Sequence, residues 1–127
     1  MIKKIYSDSL GLLTDIYQLT MCYGYWKKGI HQKQSSFNLF FRNNPFKGAY
    51  SVTCGLDYVI DYLNNFKFSN EDISYLSSLK TENGKKFFEK KFLEFLKKFK
   101  FECDLDAIEE GRVVFPNEPL LRITGPI

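Results

Sequence analysis

The sequence predicts an α+β domain in which helices pack on a mostly antiparallel sheet. Three observations point there. A chain of 127 residues that is 44% hydrophobic and 17% aromatic is ample for one globular domain and short for two. Its apolar residues switch between a period near 3.6 and a period of two. The order read from those periods is one helix, two strands, three helices and then several strands, so strands and helices do not alternate as a parallel doubly wound sheet requires.

The first element is a helix from about Asp15 to Lys28, with Thr14 placed to cap it, Asp15 at its positive end and Gly29 as its stop. Ile16, Leu19, Tyr23 and Trp26 make its core stripe, and Tyr17, Thr20 and Gly24 lie along a neighbouring face. In "SSFNLFF", Phe37, Leu39 and Phe41 alternate with Ser36, Asn38 and Phe40, the pattern of a half-buried strand. "RNNPFKGAY" carries turn chemistry and leads to "YSVTC", a second strand expected to pair antiparallel with the first. Leu56, Val59, Ile60 and Leu63 then mark an amphipathic helix. "SNED" at Ser69 to Asp72 is a capping box, with Ile73, Leu76 and Leu79 behind it. After Gly84 a helix gathers Phe88, Phe92, Phe95, Leu96 and Phe99 on one side. The remainder is β-rich, punctuated by Gly111, the Pro116 to Pro119 turn and the Gly125-Pro126 pair, and the sheet is expected to bury one face under the helices.

The net charge of +3 is too mild to argue for nucleic acid or an anionic membrane. The excess is local: Lys80 to Lys100 holds eight lysines against Glu82, Glu89 and Glu94. A solvated lysine face over a phenylalanine stripe accounts for it, and neither nucleic acid nor membrane is expected as a partner. Cys22, Cys54 and Cys103 are odd in number and form no CxxC pair, which fits reduced thiols in a cytoplasmic protein and leaves no metal role. The start of the chain is too short and interrupted in its apolar run for a membrane span or an export signal.

No complete catalytic set is assembled by these residues. His31 stands alone after a helix stop and reads as a solvated loop side chain. There is no phosphate-cradling glycine loop; Gly48, Gly55, Gly111 and Gly125 read as turns. "DLDAIEE" groups four acidic residues, with Asp104 and Asp106 on one strand face directed to solvent.

Three longer stretches change the reading. "LLTDIYQLTMCYGYW", "FNLFFRNNPFKGAYSVTCGL" and "EEGRVVFPNEPLLRITGP", in that order, resemble the opening of nicotinate phosphoribosyltransferases, from about Ser9 to Ile127. The last motif alone is less specific, since other phosphoribosyltransferases of the same structural type share something like it. The resemblance implies that residues 1–127 form the amino-terminal domain of a type II phosphoribosyltransferase, without the α/β barrel domain that follows it in that family. It implies an enzyme family that joins nicotinate to 5-phosphoribosyl 1-diphosphate, giving nicotinate mononucleotide and diphosphate for NAD biosynthesis, with ATP hydrolysis coupled and magnesium required. It further implies a homodimer in which this domain of one subunit covers the barrel of the other.

Two substrate-binding residues carry over by motif, and no catalytic ones. Tyr17, in "TDIYQLT", matches the tyrosine that lies against the nicotinate ring, where an aromatic face stacks on a pyridine and excludes water. Its periodicity alone would make it an ordinary packing residue. Arg42, closing "FNLFFR", matches an arginine that reaches across the dimer to the diphosphate, a role suited to planar guanidinium donors. Without the motif it is a solvated arginine at a strand end. The family's phosphorylatable histidine, its other nicotinate-binding arginine and its main phosphoribosyl-binding loops belong to the barrel, and His31 matches none of them. The expectation is a truncated or fragmentary form, inactive alone. The alternatives are a non-catalytic interaction or dimerisation module derived from the family, and a relative that uses nicotinamide.

Overall fold

The structure, a computed structural model, describes residues 9–127. Residues 1–8, which enter the reading of the chain's start, lie outside the described residues. Four helices and five strands follow in the order α1 (Ile16–Lys27), β1 (Gln34–Leu39), β2 (Ser51–Val52), α2 (Leu56–Asn65), α3 (Asn70–Ser78), α4 (Lys90–Lys97), β3 (Asp104–Ala107), β4 (Val113–Val114) and β5 (Leu121–Pro126). Every strand pairing is antiparallel, and the α+β class is as expected. No helix among the described residues is long and apolar enough to cross a membrane. The chain forms two compact units, one from residues up to His31 with Tyr62–Phe101, the other from Gln32–Asp61 with Glu102–Ile127.

The helical unit is built on aromatic packing. Leu19, Leu76, Phe88, Phe92, Leu93 and Leu96 are buried together, with Cys22, Tyr23, Trp26 and Phe95 packed against them. Phe92 is its centre: its ring lies 4.9 Å from Tyr23, 5.5 Å from Trp26 and 5.5 Å from Phe88. Each such buried side chain contributes on the order of 1.5–3 kcal/mol of transfer free energy. Within α4 the stripe follows the helical period, with Leu93 added to Phe92, Phe95 and Leu96; the helix itself runs only from Lys90 to Lys97, so Lys85, Lys86 and Phe88 precede it and Phe99 follows it. The capping box of α3 is as the sequence indicates: Asp72 N–H donates to Ser69 Oγ at 3.0 Å and Ser69 N–H to Asp72 Oδ2 at 2.7 Å.

Helix α1 corrects two expectations. Its N-cap is Asp15, not Thr14; the Asp15 N–H donates to Gln18 Oε1 at 3.1 Å, while the Thr14 hydroxyl bonds the same Gln18 oxygen from outside the helix. Its inward stripe is Leu19, Cys22, Tyr23 and Trp26, and Ile16 is half-exposed because it stands in the first turn, before the residues that meet the α4 aromatics. Gly29 stops the helix as expected. At φ +67° it lets Gly29 N–H reach Trp26 O and Ile30 N–H reach Tyr25 O, both at 3.0 Å, the paired bonds of a Schellman ending.

The strand unit carries a three-stranded sheet in the order β1-β5-β3 and a separate two-stranded ribbon, β2-β4. The expected β1–β2 pairing is therefore wrong. Gln34 pairs with Pro126 and Leu39 with Leu121, so β1 takes its partner from the far end of the sequence, and β2 takes Val113–Val114. The intervening turn, Pro45–Lys47, holds Phe46 at φ 56°, ψ 24° and Lys47 at φ 57°. Two successive non-glycine residues in the left-handed region cost about 1–3 kcal/mol each. Gly125 is likewise no turn: it lies within β5, opposite Ser35, and a Cβ there would meet Cys103 Sγ at 2.6 Å and its Cα at 2.8 Å. Glycine is needed at that position for close approach of backbone, not for bending.

The three-stranded sheet has two unlike faces. Phe37, Leu39, Leu121, Ile123 and Leu105 share one by register; Ser36, Asn38, Arg122, Thr124 and Asp106 share the other. Burial of the apolar face is uneven. Leu121 and Ile123 on the central strand are partly shielded, while Phe37 and Leu39 on the edge strand stay more than half exposed, against the expectation of a half-buried β1.

Candidate functional site

Tyr17 belongs to the helical unit and Arg42 to the strand unit. Tyr17 is 56% exposed, and the inward stripe of α1 passes it by. One and two turns on, Thr20, Met21 and Gly24 stand at offsets of three, four and seven, which puts all four on one helix face. Met21 is exposed and was not singled out from sequence; its position four residues from Tyr17 is the signal that identifies it. Gly24 adds to the picture. A glycine inside a helix costs roughly 0.5–1 kcal/mol relative to alanine, yet a Cβ built on Gly24 would meet nothing within 4 Å. Nothing in the packing of the described residues calls for glycine there. The α1 face beside Tyr17 is thus open and free of side-chain bulk at its far end.

Arg42 lies three residues past the end of β1, in a bend, rather than closing the strand. Its position is fixed from the neighbouring residue, because Phe41 O accepts the Asn117 N–H at 2.8 Å. The chain has three arginines. Arg122 donates from Nε and Nη2 to Asp106 Oδ2 at 3.1 and 2.9 Å, and Arg112 from the same pair of nitrogens to Glu109 Oε2 at 3.2 and 2.6 Å. Arg42 has no such carboxylate among the described residues. An exposed guanidinium with its donors uncommitted suits an anion far better than one already held in a fork.

Three carboxylates of the acidic group "DLDAIEE", those of Asp106, Glu109 and Glu110, are also spoken for. Glu110 Oε1 accepts from Gly55 N–H at 2.7 Å and Leu56 N–H at 2.6 Å, so a carboxylate 54 residues away in sequence caps the positive end of α2. Thr53 ties the same loop: its Oγ1 donates to Glu109 O at 2.7 Å and accepts from Arg112 N–H at 3.0 Å. The "EEGR" motif is thereby explained as scaffolding that fixes the start of α2, a role sequence reasoning missed. Asp106 and Asp104 are solvent-facing as expected, with Asp106 held by Arg122.

His31 is not a free loop side chain. Its ring stands edge-on to Phe95 at 5.4 Å, and Nδ1 is buried with no hydrogen-bond partner among the described residues. The helical unit also holds an apolar cavity of about 250 Å³, lined by Leu13, Leu19, Cys22, Tyr62, Phe66 and Leu96 among others. Burial raises the Cys22 thiol and the Tyr62 phenol above their ordinary values, so both stay protonated near neutral pH. Neither Tyr17 nor Arg42 lines this cavity, and its walls offer no cation for a carboxylate or phosphate.

Comparison with known proteins follows the same stretch of chain. The family profile for the nicotinate phosphoribosyltransferase N-terminal domain matches residues 12–127. A nicotinate phosphoribosyltransferase of Caenorhabditis elegans is 45% identical over 117 residues, covering 91% of this chain and 20% of that protein. One of Bacillus subtilis (strain 168) is 44% identical over 120 residues, covering 94% of this chain and 23% of that protein. A crystal structure of human nicotinic acid phosphoribosyltransferase superposes with a TM-score of 0.76 at 35% identity, over 89% of this chain and 22% of that one. The chain spans about one fifth of the length of the curated relatives it matches.

Proposed function

Since the chain belongs to the nicotinate phosphoribosyltransferase family through the N-terminal domain of those proteins, we propose that it supplies the Tyr17 and Arg42 side of a site whose other side is a barrel domain. In this reading the complete site joins nicotinate to 5-phosphoribosyl 1-diphosphate, releasing diphosphate and forming nicotinate mononucleotide for NAD biosynthesis. Tyr17 stacks on the pyridine ring and keeps water from the reacting carbon. Arg42 holds the diphosphate through paired N–H donors. The observation that carries the proposal is the display of Tyr17 on an α1 face that the chain's own core leaves open.

The barrel is contributed by another subunit of a homodimer, and the assembly acts in the cytoplasm. ATP and magnesium are the cofactors that the resemblance implies. Among the described residues no three metal-ligating side chains come together, and the carboxylates of Asp106, Glu109 and Glu110 are committed to Arg122, Arg112 and the α2 backbone.

The test is complementation. The purified chain is assayed for nicotinate mononucleotide formation alone and after mixing with the Bacillus subtilis relative lacking its own matching 120 residues. The proposal expects no turnover alone and turnover on mixing, lost with Tyr17→Ala and reduced with Arg42→Ala. Turnover by the chain alone defeats the half-site reading; assembly without turnover favours a non-catalytic interaction module; turnover with nicotinamide in place of nicotinate reassigns the substrate.

A further inference from the structure

We propose that the apolar cavity of the helical unit is a binding site for a small neutral aromatic molecule bearing one hydrogen-bond acceptor. The site is independent of the half-site reading above, because neither Tyr17 nor Arg42 lines it.

All of the cavity's walls belong to the helical unit. Leu19 and Leu96, both buried, lie at its floor, and the exposed Leu13, Thr14 and Gln18 mark its mouth. Between floor and mouth the wall is aromatic. The Phe66 ring stands edge-on to Tyr62 at 5.5 Å, to Phe68 at 5.5 Å and to Phe99 at 5.6 Å, with interplanar angles of 74°, 83° and 78°. The chain ahead of α1 is tied to the same wall: Ser9 Oγ donates to Lys67 O at 2.9 Å, and a Cβ on Gly11 would meet that oxygen at 2.8 Å. Rings that brace one another in this way hold their places, so no small side-chain movement fills the space.

Protein interiors leave few voids larger than a water molecule, and an apolar one offers water no partners. An apolar cavity of about 150 Å³ holds benzene. In proportion, about 250 Å³ takes a ring with a short substituent.

Charge and hydrogen bonding narrow the class. No acidic or basic side chain lines the space. Burial keeps the Cys22 thiol and the Tyr62 phenol protonated near neutral pH. An ion entering would give up its hydration without a counter-charge, which selects a neutral molecule. The acceptor follows from Gln18. Its Oε1 takes the Asp15 N–H at 3.1 Å and the Thr14 hydroxyl, which fixes the orientation of the amide. Its Nε2 has no acceptor among the described residues, so a carbonyl oxygen on the occupant gains a donor at the mouth. Leu19 and Cys22 belong to the inward stripe of α1, so an occupant also braces the helix that displays Tyr17 outside the cavity.

Acetophenone is the probe, titrated into the purified chain and followed by amide and methyl chemical shifts. Saturable shifts should centre on Leu19, Cys22 and Leu96, with nuclear Overhauser contacts from the ligand ring to Phe66 and Phe99. α-Methylstyrene, which has a methylene group in place of the carbonyl oxygen, should bind about three- to tenfold more weakly. Benzoate and phenyltrimethylammonium, which carry charges of opposite sign, should each bind weaker by about tenfold or more. Gln18→Glu keeps an oxygen for the α1 cap and removes the N–H donor. It should bring acetophenone down to the level of α-methylstyrene. Cys22→Phe, which fills the space from α1, should abolish binding of both; if that variant does not fold, the ring contacts in the parent decide the location. No saturable shifts, shifts centred away from these residues, a charged analogue binding as tightly as acetophenone, or unchanged acetophenone affinity in Gln18→Glu would each overturn the site as assigned.

Discussion

The two units hold themselves together by different means. In the helical unit six apolar side chains are buried in one cluster, roofed by the rings of Tyr23, Trp26 and Phe95. In the strand unit Val114 is the buried hydrophobic residue among those described, and the larger apolar groups look outward. What secures that unit is backbone pairing over β1-β5-β3, the Arg122–Asp106 and Arg112–Glu109 forks, and the Glu110 cap. Exposed ion pairs contribute little each, on the order of 0–1 kcal/mol. One unit thus carries its own hydrophobic stabilisation, while the other rests on backbone pairing and polar ties with little burial.

Truncation at the centre of the helical unit gives the largest expected effect. Phe92→Ala removes a fully buried ring that touches Tyr23, Trp26 and Phe88, and should cost ~3–5 kcal/mol in urea unfolding followed by Trp26 fluorescence. Amide exchange in β1 and β5 should change far less; an equal rise there would erase the contrast between the units. Next comes Gly125→Ala, which drives a methyl group into Cys103 and its backbone. It should destabilise the strand unit by about 1–3 kcal/mol, read as faster exchange at Ile123 and Thr124.

Glu110→Ala strips two amides of their acceptor at the start of α2 and should cost about 0.5–2 kcal/mol, with Gly55 and Leu56 amides exchanging faster. Glu110→Gln, which keeps an acceptor oxygen, should lose less. The smallest effect returns to the helical unit. Hydrogen bonding from Lys27, then from Tyr23, holds the Glu89 carboxyl below the usual carboxylate range. A depressed carboxyl contributes stability above its unfolded value and loses it as pH falls through the folded one. The urea midpoint should therefore drop slightly on acidification below the ordinary carboxylate range, and Glu89→Gln should flatten that slope; an unchanged slope would show the pair to be idle.

Local chemistry was legible in the sequence and distant pairing was not. The "SNED" box, the Gly29 stop and the Phe92, Phe95 and Leu96 part of the α4 stripe depend on residues within one or two turns, and each is where its spacing puts it, while Phe88 and Phe99 fall just outside the helix. The β1–β2 hairpin failed because the partner of Gln34 is Pro126, and nothing in "SSFNLF" encodes that choice. Gly125-Pro126 looked like a turn because the dipeptide usually is one; here the glycine answers a contact with Cys103, 22 residues back. Glu110 was invisible as a cap for the same reason of distance. For the candidate site, periodicity alone left Tyr17 undistinguished from packing residues, and the motif resemblance picked it out. Arg42 was named by motif as well, but its lack of a carboxylate among the described residues, unlike Arg112 and Arg122, emerges only from the paired side chains.

The β1–β5 register also sets a timetable. On the ribosome β1 is made before its neighbour, and the strand that lies along it arrives some 92 residues later, from Gln34 to Pro126. At roughly 5–20 residues per second this is an interval of about 5–20 seconds in which an edge bearing Phe37 and Leu39 waits without its neighbour. The segments that make the helical unit, ending at Phe101, emerge before β5 does. The order of synthesis therefore lets the aromatic core condense first, and the three-stranded sheet becomes whole only after it.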